Sequence, residues 1–164
     1  MISALVLAAG ASTRFGSPKQ RVLLEPVLAR VRASTVDDVL VVLGAHDVET
    51  TARTVRCADW ALGPGASLRC GLRALGDDVA AAVVVLGDGP HLDPRAIDRV
   101  IEAWRETGAE RVAATYDGVR LHPLVLSRQV WGQTPDVGLR DLPALAVPCD
   151  DLSPPGDVDT PNDL

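Results

Sequence analysis

Lys19 is the one lysine among sixteen basic residues, the rest being arginine. It closes a run of mostly small residues, Leu7-Ala8-Ala9-Gly10-Ala11-Ser12-Thr13-Arg14-Phe15-Gly16-Ser17-Pro18-Lys19-Gln20. In a composition drifted so far towards arginine, a position that keeps a compact, flexible ammonium is expected to do something a planar guanidinium does badly. Small residues let backbone N–H groups approach a phosphate closely, and Arg14 and Lys19 add two cations to the same loop. It is not a Walker A loop, because five residues separate Gly10 from Gly16 and Lys19 follows a proline, nor is it G-x-G-x-x-G. Asp88 stands in Leu86-Gly87-Asp88-Gly89-Pro90, which read alone is also a good generic turn. Ser67 stands in Gly65-Ala66-Ser67-Leu68-Arg69-Cys70-Gly71, where its hydroxyl caps a helix or faces a ligand.

These segments need a scaffold that brings them together. Ile2 to Ala8, Val39 to Leu43 and Val79 to Leu86 are apolar runs of the kind buried on both faces of a parallel sheet. Helices are expected over Val22 to Ala33, Asp47 to Thr54 and Ser67 to Leu75, the last with Leu68, Leu72 and Leu75 on one face. Asp93-Pro94 opens another as N-cap and first residue, with Ile97, Val100, Ile101 and Trp104 as its buried stripe. Asp117-Gly118 joins Arg111 to Tyr116 and Arg120 to Leu126 as a hairpin. A short helix near Val137 to Leu142 and a strand near Leu145 to Cys149 follow. The alternation predicts a three-layer α/β/α domain on a mostly parallel sheet. In such sheets ligands lie beyond the carboxyl ends of the strands, where the Lys19 loop and Asp88 fall.

The 164 residues fit one domain, taken as 1–164, and 47% hydrophobic content with 3% aromatic implies a core of Val, Leu, Ala and Ile. A net charge of −6 argues against nucleic acid as a partner. No apolar run reaches the length of a membrane span. Cys57, Cys70 and Cys149 are odd in number and form no C-x-x-C pair, so they read as reduced core thiols of a cytoplasmic protein. Met1 to Ala11 lacks a basic flank and reads as a buried strand and not a signal peptide. Trp60, Trp104 and Trp131 read as packing residues.

L-A-A-G-A-S-x-R-x-G-x-x-K-Q resembles the signature of the MobA-like NTP transferases, especially the branch containing the molybdenum cofactor cytidylyltransferases. Four further matches follow in order: G-x-S-L-R-x-G-L at Gly65 to Leu72, L-G-D-x-P at Leu86 to Pro90, H-P at His122-Pro123, and D-x-D-T-P-x-D-L at Asp157 to Leu164. The resemblance covers nearly the whole chain and implies a Rossmann-like, GT-A-like nucleotidyltransferase fold. It implies attack of an acceptor phosphate on the α-phosphorus of an NTP, with release of pyrophosphate. Leu7, Ala8, Ala9 and Gly10, with Arg14 and Lys19, would hold the triphosphate, while Gly65 and Ser67 would lie on the nucleotide's base side. Arg14, Lys19 and Asp88 are the implied catalytic residues, an ammonium that follows moving phosphate oxygens suiting phosphoryl chemistry. Asp88 would hold Mg²⁺ with Asp157 or Asp159, Asp157 being preferred by alignment; phosphates and waters complete such a shell. His122 and Arg140 would face the acceptor.

Ala8-Ala9 is closer to the cytidylyl or sugar-type enzymes than to the guanylyl form, whose loop usually reads L-A-G-G, so CTP is the favoured nucleotide. The acceptor half departs from the pattern. Gln20 to Asp38 holds no glycine where the family usually has L-x-G-x-P-L-L, Pro135 precedes Asp136-Val-Gly-Leu-Arg140, and Leu121 stands where glycine often precedes His-Pro. The reading is a cytidylyltransferase for a pterin-type or other small phosphorylated acceptor. Its alternatives are a sugar-phosphate or other metabolite-phosphate nucleotidyltransferase, and a nucleotide-binding accessory module without turnover.

Overall fold

A computed structural model describes residues 1–10 and 20–157. Strand β1 (Ile2–Ala8) is almost wholly buried, as a central parallel strand covered on both faces must be. Strands β2 (Asp38–Leu43) and β4 (Ala81–Leu86) pair with it in parallel on either side, and β3 (Arg53–Arg56) forms the edge beyond β2. Beyond β4 come β6 (Val119–Ser127), β5 (Arg111–Tyr116) and β7 (Leu145–Pro148), giving the order β3-β2-β1-β4-β6-β5-β7. Among these strands β6 alone runs against the rest.

Three α-helices among the described residues complete an α/β/α sandwich. Helices α1 (Gln20–Arg32) and α3 (Pro94–Thr107) cover one face. Their stripes of Leu24, Val27, Leu28 and Val31, and of Ile97, Val100 and Ile101, pack on Ala4, Val6, Val83 and Val85. Helix α2 (Pro64–Arg73) covers the other face, where Leu68, Leu72 and Leu75 meet Leu5, Val42, Ala82 and Val84. The alternation of side chains along β1 and β4 feeds both cores. Asp93 caps α3 by accepting from the Arg95 N–H at 2.9 Å, and Gly108, at φ 67°, ends it. Asp117 and Gly118, at φ 51° and 78°, form the tight hairpin turn.

Two expected helices are absent. Residues 47–52 are irregular and β3 follows them, because side-chain bonds, most of them to the distant Glu25, outbid helical bonding. The Glu25 carboxylate accepts from the Thr51 N–H and from the Thr50 and Thr51 hydroxyls, and Thr50 Oγ1 accepts from the Ala52 N–H. The stretch expected to be helical at Val137 to Leu142 is a series of turns with Gly138 at φ 96°. Its Leu139 and Leu142 carbonyls accept from the Arg120 guanidinium at 3.0 and 2.5 Å. Ser67 is not the cap of α2, which begins three residues earlier with Gly63 as N-cap. Cys57 and Cys149 are buried free thiols as expected, whereas Cys70 is half-buried.

Candidate active site

The carboxyl ends of β1 and β4 form one rim. The Gly87 N–H donates to the Leu7 carbonyl at 2.9 Å, and a Cβ on Gly87 would stand 3.0 Å from that oxygen and 3.3 Å from the Ala8 Cβ. On the other side the Ala45 N–H donates to the Ala9 carbonyl at 3.2 Å, and a Cβ on Gly44 would stand 2.8 Å from it. Two glycines thus let the backbone leaving β1 sit in a narrow seam. Ala8 and Ala9 are buried there while Gly10 is exposed. Asp88, half-buried, is one residue beyond the seam.

The reversed strand brings side chains to the same rim. With Val84 opposite Leu124 in the β4–β6 ladder, His122 lies beside Leu86, whose N–H points to His122 Nδ1 at 3.5 Å. His122 is 9% exposed and its Nε2 has no hydrogen-bond partner among the described residues. Burial pushes its pKa down to about 4, against the opposing pull of Asp157, so the imidazole is neutral at physiological pH. A Cβ on Gly89 would lie 2.9 Å from His122 Nε2 and 3.0 Å from the Pro155 Cβ. Gly89 is therefore the point where β6, the Asp88 turn and the segment after β7 meet.

That segment is led there by three ties. The Asp150 carboxylate accepts from the Asp117 N–H at 2.8 Å, Asp151 forms a two-pronged pair with Arg99 at 2.6 and 2.6 Å, and the Pro155 carbonyl accepts from the His91 N–H at 2.9 Å. Asp157, two residues further, is exposed. Among the described residues no cluster of three or more His, Cys, Asp or Glu side chains gathers to hold a metal. Two hard carboxylates on converging segments fit a divalent cation that draws its other oxygens from phosphate and water.

A cleft of about 620 Å³ opens beside this rim, lined by Leu7, Pro64, Leu68, Leu86, Arg120, His122 and Arg140 among others. Its far wall is fixed to α2. The Gly65 N–H donates to the Asp136 carbonyl at 2.9 Å, and a Cβ on Gly65 would run into the Pro135 carbonyl. Arg69 holds the same segment through the Thr134 carbonyl at 2.7 Å and the Asp136 carboxylate. Pro64 and Leu68 reach the cleft, whereas Ser67 is buried in α2 at 3% exposure.

Residues 4–145 match the MobA-like NTP transferase domain. The chain belongs to that family. The bifunctional protein GlmU of Mycobacterium tuberculosis is 37% identical over 127 residues, in an alignment taking in 64% of this chain and 26% of GlmU, so the chain spans about a quarter of such relatives. Rv0371c of Mycobacterium tuberculosis H37Rv superposes with a TM-score of 0.80 at 28% identity, covering 99% of this chain and 94% of that one. Its complex with manganese does so at 0.78 and 26%, covering 99% and 95%. The family is one of nucleotidyltransferases, and its fold is the α/β architecture seen here.

Of the residues the sequence singles out in this MobA-like chain, Leu7, Ala8, Ala9, Gly10 and Asp88 lie on the rim, and His122 and Arg140 line the cleft. Arg14, Lys19 and Asp159 lie outside the described residues. Gly65 has a structural reason to be glycine, which is the Pro135 carbonyl. Sequence reasoning missed Arg120. The signal for it was period-two alternation: Arg120, His122 and Leu124 share one face of β6, and all three line the cleft. No helix among the described residues is long and apolar enough to cross a membrane.

Proposed function

We propose that the chain transfers the NMP part of an NTP, with CTP favoured, to a small phosphorylated acceptor, pterin-type compounds being one class, and releases pyrophosphate. The observation that carries this reading is the convergence at Gly89, where the Asp88 turn, the His122 strand and the segment bearing Asp157 meet beside the backbone that leaves β1. Two anions must be brought into line, so the site has to neutralise charge and orient the reacting groups. The amides after β1, with Arg14 and Lys19, take the triphosphate, and Lys19 follows the charge that builds on the leaving pyrophosphate. Asp88 and Asp157 are the groups that would hold Mg²⁺, which when bound supplies charge neutralisation at the phosphates. His122, kept neutral by burial, adds no competing positive charge and shapes the floor of the acceptor side. Cytosine is favoured because Ala8-Ala9 is closer to the cytidylyl form of the loop than to the guanylyl one. The discrimination is about 1 to 3 kcal/mol if it is only a matter of fit.

Pyrophosphate release measured across the four NTPs with a panel of phosphorylated acceptors tests the reading. Turnover with CTP and Mg²⁺ and one acceptor class is the expected result. Preference for GTP would move the chain to the guanylyl branch. Tight NTP binding without release under any acceptor would favour an accessory module.

A further inference from the structure

Arg120 presents a charge that no carboxylate among the described residues answers. It lies on β6, half-buried, and lines the cleft. Its guanidinium donates to two backbone carbonyls, Leu142 at 2.5 Å and Leu139 at 3.0 Å, and pairs with no carboxylate among the described residues. Two of its five N–H donors are thereby used and the planar group is fixed in orientation. Arg111 lies near it, 8% exposed, with only a 3.8 Å approach to Glu110 and a 3.4 Å bond to Gln133, and its Nε has no partner among the described residues. Burial first, and then the positive charge of Arg111, hold the Arg120 guanidinium below its ordinary pKa. A half-buried cation that also feels the like charge of Arg111 is costly to keep unless an anion arrives. The turn that Arg120 clamps also carries Arg140, exposed on the same cleft.

Most of the remaining lining, Leu7, Leu68, Val84, Leu86, Leu124 and Leu139, is aliphatic, with Asp141 its one carboxylate among the described residues. Hydroxyl groups laid against them would lose water and find no partner. We propose that Arg120 is the anchor for the acceptor's anionic group, and that this anion is carried on an apolar or aromatic body and not on a polyhydroxylated one. This rests on reading the cleft as the acceptor side of a nucleotidyltransferase site.

Phenyl phosphate and glucose 1-phosphate, titrated calorimetrically against the protein alone and against the protein saturated with Mg²⁺ and α,β-methylene CTP, provide the test. The nucleotide analogue keeps phosphate probes out of the Lys19 loop. Phenyl phosphate is expected to bind at least tenfold more tightly than glucose 1-phosphate. Arg120→Gln should weaken phenyl phosphate at least tenfold while the affinity for the analogue stays within twofold. Should that variant not fold, Arg120→Lys, which keeps a cation but cannot hold both carbonyls, must still weaken phenyl phosphate severalfold with analogue binding unchanged. Equal affinity of the two phosphates for the unaltered protein overturns the apolar-body assignment, whatever the variants do. Unchanged phenyl phosphate affinity in folded Arg120 variants overturns the anchor. If the analogue fails to bind while phenyl phosphate binds in an Arg120-dependent way, the nucleotidyltransferase reading falls and the anion anchor stands.

Discussion

In the half of the sheet made by β3, β2, β1 and β4, strands run one way and the groups at the rim belong to chain leaving the strand ends; in the half made by β6, β5 and β7, the reversed β6 delivers residues from its own beginning. The first half presents backbone and small residues at the rim, Ala8, Ala9, Gly10 and Gly87, beside the single carboxylate of Asp88. The second presents long side chains to the cleft, Arg120, His122 and Arg140. The lesson concerns tolerance. A seam made of backbone fails when any atom is added, whereas a wall made of side chains can change its chemistry without moving the strand. Two of the three departures from the family pattern, Leu121 and Pro135, fall in the second half, and the third, the glycine-free stretch Gln20 to Asp38, falls in the first.

The largest effects should come from removing charge on the first side. Lys19→Ala should lower turnover by on the order of a hundredfold or more, the scale of one lost preorganised electrostatic donor. Lys19→Arg should not restore it fully. Asp88→Asn keeps size and turn, so Mg²⁺-dependent pyrophosphate release should collapse while Tm barely moves. Asp157→Asn and Asp159→Asn, assayed beside it, identify the second carboxylate. A Lys19→Ala protein with near-normal turnover would break the comparison, since the first half would then be a scaffold only.

The second side should show itself through pH. His122 titrates at about 4 in the fold against about 6.5 in an unfolded chain, so the unfolded state takes up its proton first. Its contribution is therefore complete above about pH 6.5, is lost as pH falls towards 4, and is level below that. The metal-free protein should lose up to about 3 kcal/mol over this window, read by denaturant unfolding at each pH. A His122→Asn protein should lack that slope. A slope of equal size in the variant would assign it to other groups.

How much of this was legible follows from how local each cause is. The runs Ile2 to Ala8 and Val79 to Leu86 announce the buried strands β1 and β4 because a strand covered on both faces is built mainly of apolar residues. Asp93-Pro94 and Asp117-Gly118 announce a helix start and a hairpin because their backbone requirements are satisfied within four residues. The helices expected over 47–54 and 137–142 are absent because what shapes those stretches is distant: Glu25 for the first, and Arg120 and the α2 start for the second. Leu7 to Gly10, Asp88, His122 and Arg140 could be singled out by motif. Arg120 belongs to no motif quoted for the family, and its meaning depends on Arg111 and on the absence of a carboxylate partner among the described residues, neither of which a sequence displays.

Gly65→Ala measures the seam principle at the boundary between the two halves. Its new Cβ would meet the Pro135 carbonyl, which is backbone and cannot rotate away, so α2 and the 134–136 segment must separate. Overpacking of this kind costs about 1 to 3 kcal/mol. The lost bond from the Gly65 N–H to Asp136 adds to that. Thermal unfolding should show a clear drop in Tm, and acceptor KM should rise more than nucleotide KM, because the displaced segment leads directly to Arg140. A rise confined to the nucleotide would put the 134–142 segment on the wrong side of the cleft.

The smallest effect is expected from the tie that guides Asp157. Arg99 holds the Asp151 carboxyl down at about pKa 2 through two hydrogen bonds, yet both partners are in contact with water, at 34% and 64% exposure. Pairs of this kind contribute little to stability, so Arg99→Leu and Asp151→Asn should leave Tm almost unchanged. Their consequence should appear six residues on from Asp151, where a loosened segment presents Asp157 less often beside Asp88. The Mg²⁺ concentration for half-maximal turnover should then rise by roughly twofold to fivefold, the range that a water-exposed tie can hold. The double variant should behave like either single one, because the two residues form one tie. Additive losses would mean that Arg99 and Asp151 act separately, and the path from β7 to Asp157 would rest on the Pro155 to His91 and Asp150 to Asp117 bonds alone.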